Sequence, residues 1–185
     1  MLTAVALLVL GLVIIGLIIV ANGYFVAQEF AFMSVDRTEL RSRADAGDEK
    51  AAAALKVTNR TSFMLSGAQL GITVTGLMVG FIAEPLVGEA LGVLLGGVGV
   101  PVAVSVGVGT VLALAISTIV QMIFGELFPK NYTIAAPLKS SLALARSTNI
   151  YLAIFGWLIR FFDFSSNALL RMLREEVAGY AREHG

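Results

Sequence analysis

Three stretches of this chain are almost free of charge and long enough to cross a bilayer: Leu2 to about Ser34, Thr61 to Ala83, and Val100 to Phe128. Crossing about 30 Å of hydrocarbon takes roughly 20 helical residues, and a helix satisfies all of its backbone hydrogen bonds within one segment. The expected fold class is therefore an all-α membrane protein with three transmembrane helices. A composition that is 57% hydrophobic and 14% charged, with a mean hydropathy of +0.86, agrees with it. Leu2 to Val20 is read as a retained span, because no basic residue precedes it and its apolar run exceeds the roughly 7 to 15 residues of a signal peptide. No polar linker or repeat interrupts the chain, so residues 1–175 are expected to form one membrane domain, followed by a cytoplasmic tail at 176–185.

The basic residues set the expected topology. None of the 13 Lys and Arg residues precedes Arg37, six lie from Arg37 to Arg60, none lies from Thr61 to Pro129, and seven follow from Lys130 on. The positive-inside rule then places the first loop and everything after Lys130 in the cytoplasm, with the N-terminus and the Gly-rich loop from Glu84 to Pro101 outside. In a bacterium this is the inner, or plasma, membrane. Leu138 to Phe162 is a fourth apolar stretch, but a crossing there would carry Arg160, Arg171, Arg174 and Arg182 outward against the rule. On a helical wheel its Lys139, Arg146, Asn149, Arg160 and Asp163 share one arc, as in an amphipathic interfacial helix or a broken pair of them; a short fourth span is the alternative. Trp157 would anchor this helix at the interface. The first loop reads as two short helices, with Asp36 and Glu39 in capping-box form and Gly47-Asp48 ending one helix and starting the next.

The chain has no cysteine, and its one histidine is His184, so thiolate and imidazole metal sites in the membrane are excluded. Any metal held there must be held by oxygen, which favours magnesium, calcium, sodium or manganese. Such oxygens are present in each span. Asn22 and Glu29 are seven residues apart on the first; Ser62, Ser66, Gln69, Thr73, Gly76 and Gly80 step along the second; Ser117, Gln121 and Gly125 mark the third, with Glu126 at its end. These seams are expected to face a common centre. Helix packing is the simpler account of Ser62, Ser66, Gly76, Gly80 and Ser117 and an equal one for Gln69 and Thr73, and Glu29 could instead reach water or pair with Arg37. Glu126 has a further argument behind it. Pro129 lacks an N–H, so the carbonyl of Gly125 loses its i+4 donor and lies beside a carboxylate. With Asn22 and Gln69 or Thr73, that pair would form an oxygen-only pocket; the alternative is a helix stop with Glu126 paired to Lys130.

The segments Asn22-Gly-Tyr-Phe-Val-Ala-Gln-Glu29-Phe-Ala, Gln69-Leu-Gly-Ile-Thr73 and Gly125-Glu-Leu-Phe-Pro-Lys-Asn131 resemble, in order and spacing, the transmembrane domain of the CorC and cyclin-M (CNNM) family of magnesium transport proteins, whose bacterial members are often called haemolysin-like. The resemblance implies three spans with the N-terminus outside, a cytoplasmic juxtamembrane helical belt, a homodimer, and magnesium efflux, in some members proposed to be sodium-coupled, through an inward-facing cavity. It implies metal-site roles for Glu126 and Asn22. Ile72 departs from the Asn typical of the cyclin-M branch, which leaves Gln69 and Thr73 as the nearest substitutes. CBS domains, which bind adenine nucleotide in the family, are expected to follow such a domain, and this chain stops before them.

The expected function is transport of a divalent cation, Mg2+ and possibly Na+ in exchange, with Glu126, Asn22, Gln69, Thr73, Gly125 and Glu29 as the candidate metal-site residues. An ion-binding sensor or scaffold reporting to cytoplasmic partners is the alternative. An intramembrane enzyme is not expected, since the spans hold no histidine, Ser-Lys pair or paired aspartates. The expected partners are membrane lipid and a second copy of the chain; the balanced charge gives no sign of nucleic-acid binding.

Overall fold

A computed structural model describes residues 2–82, 87, 88, 90, 92, 93 and 102–184, with side chains described except at 2–4, 102, 103 and beyond 172. The expected loop from Glu84 to Pro101 lies largely outside the described residues. Helix α1, Leu2–Ser34, is built from Leu, Ile, Val and Ala without a charge before Glu29. At 1.5 Å per residue it is about 50 Å long. Two short helices follow, as the sequence suggests. Asp36 caps α2 (Arg37–Asp45) by accepting the Thr38 and Glu39 N–H groups at 2.7 and 3.4 Å. Gly47 takes φ +93°, a conformation costly for a residue with a Cβ. Asp48 then caps α3 (Glu49–Thr58) through the Lys50 and Ala51 N–H groups. The second span is α4, Thr61–Ile82.

The third span does not stop at Phe128 as expected. It comprises α5 (Val102–Val120), a π-helical segment (Gln121–Leu127) and α6 (Phe128–Ala135), a continuous and mainly apolar helical stretch of 32 residues from Val104 to Ala135. Pro129 sits in the first turn of α6, where a missing N–H is tolerated. The wider π turn before it lets the chain continue instead of ending. The stop comes at Ala136, whose φ of −137° and ψ of 59° leave the helical region ahead of Pro137.

Leu138 to Phe162 is a broken pair of helices, one of the two forms expected of it. Helix α7 (Pro137–Ile154) and helix α8 (Gly156–His184) meet at a bend of 83° centred on Phe155. Lys139, Arg146 and Asn149 are on one helix and Arg160 and Asp163 on the other, so the polar arc drawn for a continuous helix is divided between them. The tail beyond Asn167 continues α8. By length and composition three helices suffice to cross a membrane, and the fold is an all-α, three-span membrane protein; only treating the bent pair as one segment adds a fourth.

Packing is concentrated at the basic end. Phe32, Leu40, Ala51, Val57, Met64, Ala145, Leu152 and Ile159 form one buried cluster joining α1, α2, α3, α4, α7 and α8. A smaller cluster of Ile15, Ile18, Ile19, Val79 and Ala113 ties the three spans together farther along. Between spans the gain is van der Waals contact, since lipid tails are as apolar as leucine. The opposite faces, with Val20, Leu77 and Phe81 more than 70% exposed, are suited to lipid.

Candidate functional site

Asn22 is wholly buried where α1, α4 and the π segment meet. Its Nδ2 donates to the Gly125 carbonyl at 3.0 Å, and its Oδ1 accepts from the Thr75 hydroxyl at 2.6 Å. The carbonyl that Pro129 leaves without an i+4 donor is thus satisfied by a side chain from another span. Thr75 Oγ1 also lies 2.7 Å from the Gly71 carbonyl. Neither Asn22 Oδ1 nor that carbonyl can donate, so one hydroxyl proton serves both. Glycines make this approach possible. A Cβ on Gly125 would lie 3.2 Å from Asn22 Nδ2, and one on Gly23 would lie 3.2 Å from the Phe124 carbonyl. A Cβ on Gly71 would occupy the ring of Phe25.

A second feature lies toward the basic end of the spans. Glu29, Ser66, Gln69, Thr73 and Ser166 line a groove of about 550 Å³, with Met33, Leu65, Leu70 and Phe162 as its apolar walls. Glu29 is half-buried, and Gln69 and Thr73 are exposed along the groove. At its edge Asp163 accepts hydrogen bonds from Ser62 at 2.5 Å and Ser66 at 3.2 Å, tying α8 to α4. A carboxylate, an amide and hydroxyls therefore converge from three helices, a donor set suited to a hard cation. Among the described residues no group of three or more Asp, Glu, His or Cys side chains converges, so neutral oxygens would have to complete any such shell.

The six candidate residues do not meet in one pocket within a single chain. Asn22 and Gly125 form the buried latch, Glu29, Gln69 and Thr73 line the groove, and Glu126 is exposed apart from both. Helical geometry explains the division. Successive residues are rotated by roughly 100°, so turning Gly125 toward Asn22 turns Glu126 away, and Thr73 lies roughly 160° around the helix from Thr75. The face of α4 that packs carries Met64, Gly67, Ala68, Gly71, Thr75 and Val79, while the expected Ser62-to-Gly80 seam runs along its open side. Nor is Glu126 paired with Lys130, whose Nζ sits 4.7 Å over the Phe30 ring, or Glu29 with Arg37, which donates to Thr61.

Thr75 and Asp163 take part although neither was among the candidate residues. Thr75 shares the Gly67 and Gly71 face at i+4 spacing, a signal the Gln69–Thr73 stripe obscured. Asp163 was visible only as part of a polar arc. Gln28 is wholly buried with neither amide atom hydrogen-bonded, as are the Ser140 and Thr148 hydroxyls of α7, which packs against α1.

The fold and these sites define the class: a multi-pass membrane domain with a polar latch at a π-helical break. Residues 12–184 match the cyclin M transmembrane N-terminal domain family, and the chain belongs to it. Similar proteins include Rv1841c of Mycobacterium tuberculosis, 33% identical over 166 residues that are 89% of this chain and 47% of that protein. The UPF0053 protein MT1890 of the same species is 35% identical over 85% of this chain and 34% of its own length. YugS of Bacillus subtilis, also a UPF0053 protein, is 33% identical over 76% of this chain and 33% of its own length. The chain therefore spans between a third and a half of these relatives.

Proposed function

We propose that this membrane domain carries a divalent cation, Mg2+ foremost, through the groove between α1, α4 and α8. The observation that carries the reading is the convergence there of Glu29, Gln69 and Thr73 with Ser66 and Ser166, oxygen donors beside apolar walls. A carboxylate at membrane depth is costly unless it faces a partner or a polar cavity. The groove supplies Glu29 with one. Asn22 and Thr75 hold the π segment against α1 and α4, so they position the third span rather than ligate the ion, because Asn22 already uses both ends of its amide. Ile72, where the cyclin-M branch has Asn, puts more of the coordination on Gln69 and Thr73.

Glu126 is exposed on the outer face of a single chain. The same cost argues that a second copy covers it, which supports a homodimer in which Glu126 adds a carboxylate to the ion path. Orientation follows the charge bias: the basic end in the cytoplasm, in the inner membrane of a bacterium. Calorimetric titration of the purified chain with MgCl2 tests the site. Glu29→Gln should weaken Mg2+ binding at least about tenfold, the order expected when a hard cation loses its carboxylate; unchanged affinity would remove the groove from the account.

A further inference from the structure

A second cavity, of about 530 Å³, lies at the basic end of the fold, where α3, α4, α7 and α8 meet. Lys56, Arg60 and Arg160 line it, and no carboxylate does. None of the three forms an ion pair with a described acid; among the described residues the ion pair is Arg43 with Glu39 on α2. Three uncompensated cations around one cavity repel one another, an arrangement that an anion relieves. Its other walls are apolar: Val57, Phe63 and Leu152. Asn149 fixes one side, its Nδ2 donating to the Ala53 and Ala145 carbonyls at 3.0 and 2.8 Å.

The position of this cavity indicates its occupant. Arg60 directly precedes Thr61, where the second span begins, so the cations stand at the level where hydrocarbon gives way to headgroups. Trp157 and Phe161 flank Arg160 on α8 and are 73% and 63% exposed, as side chains that sit in the interface are. A soluble anion needs only the charges; a phospholipid needs charges beside apolar surface, which is what Phe63 and Leu152 add. We propose that this pocket binds the phosphate of an anionic phospholipid headgroup, with Lys56, Arg60 and Arg160 as its ligands and the acyl chains leaving along α4 and α8. The charge bias of the sequence assigns it to the cytoplasmic leaflet. The proposal is independent of ion transport, since none of these residues lines the Glu29 groove.

The test uses the full chain in mild detergent, equilibrated with equal phosphatidylglycerol and phosphatidylcholine, with retained lipid measured by mass spectrometry. Wild type should retain phosphatidylglycerol preferentially. All three cations are exposed, so glutamine there leaves the packed cores intact. Each replacement should reduce the preference about fivefold, and Arg60→Gln with Arg160→Gln together about 25-fold, as expected for basic residues at an anionic leaflet. Arg43→Gln, which removes a cation already paired on α2, should leave the preference unchanged. Equal retention of both lipids by wild type, or an equal loss in Arg43→Gln, would overturn the proposal. Inorganic phosphate is the second arm: saturable phosphate binding in lipid-free micelles, without any preference for phosphatidylglycerol, would assign the pocket to a soluble anion and overturn the lipid assignment.

Discussion

Replacing Thr75 by valine preserves the shape of a side chain that is 7% exposed and removes only the proton that Asn22 Oδ1 accepts. The magnitude follows from two terms. A side-chain hydrogen bond between membrane helices contributes about 0.6 kcal/mol on average and up to about 1.7, and a buried acceptor left without a donor costs about 1 to 3 kcal/mol. Asn22 Oδ1 is wholly buried, so Thr75→Val should destabilise the domain by about 1 to 2 kcal/mol. Asn22→Leu should cost more, about 2 to 3 kcal/mol, because it removes both hydrogen bonds of the amide and takes the side-chain donor from the Gly125 carbonyl, which Pro129 leaves without its i+4 donor; the Thr75 hydroxyl keeps the Gly71 carbonyl as its acceptor. The assay is reversible unfolding in mixed micelles, run on both single variants and the double. In a double-mutant cycle, a coupling of about 1 kcal/mol identifies the pair as one interaction. Strictly additive effects, or a Thr75→Val variant as stable as wild type, would refute the latch as the element that ties the second span to the first.

Gln28 should behave in the opposite sense. It is wholly buried with both amide atoms unpartnered, so Gln28→Met keeps the side-chain length, removes the desolvation cost and should raise stability by about 1 kcal/mol in the same assay; a fall would mean that the amide is used. For topology, a single cysteine at Arg160, which is exposed at the start of α8, should react with a membrane-impermeant maleimide only from the cytoplasmic face of oriented vesicles. Labelling from the opposite face would make the bent α7–α8 pair a fourth crossing.

The parts of the fold governed by local rules were legible from the sequence. Runs of Leu, Ile and Val gave the spans, and Asp36, Gly47 and Asp48 placed the two short helices because capping depends on residues only two or three positions apart. The freed Gly125 carbonyl could also be read, since it depends only on Pro129 four residues later. Its donor could not, because Asn22 is 103 residues away in sequence. The choice of packed face on α4 was ambiguous for a related reason. Both the Gln69–Thr73 stripe and the Gly71–Thr75 stripe have helical spacing, and contacts distant in sequence select the second: the Phe25 ring at Gly71, Leu152 and Ile159 at Gly67, and the Asn22 amide at Thr75. A broken pair was one of the two forms expected for residues 138–162, but the place of the bend, at Phe155, was not legible because the apolar pattern continues across it. The division of the candidate site followed from the same limit: adjacency in sequence, as between Gly125 and Glu126, places side chains on different faces of a helix.

The most direct measurement of the central claim is Mg2+ flux in sealed proteoliposomes containing the purified chain, with a trapped Mg2+-sensitive dye. Transport through the groove predicts saturable movement of Mg2+ that falls at least about tenfold in Glu29→Gln, in step with the loss of a carboxylate ligand, and a smaller loss in Thr73→Val. Binding of Mg2+ without any flux would contradict transport and make the domain an ion sensor, while full flux in Glu29→Gln would place the ion path elsewhere.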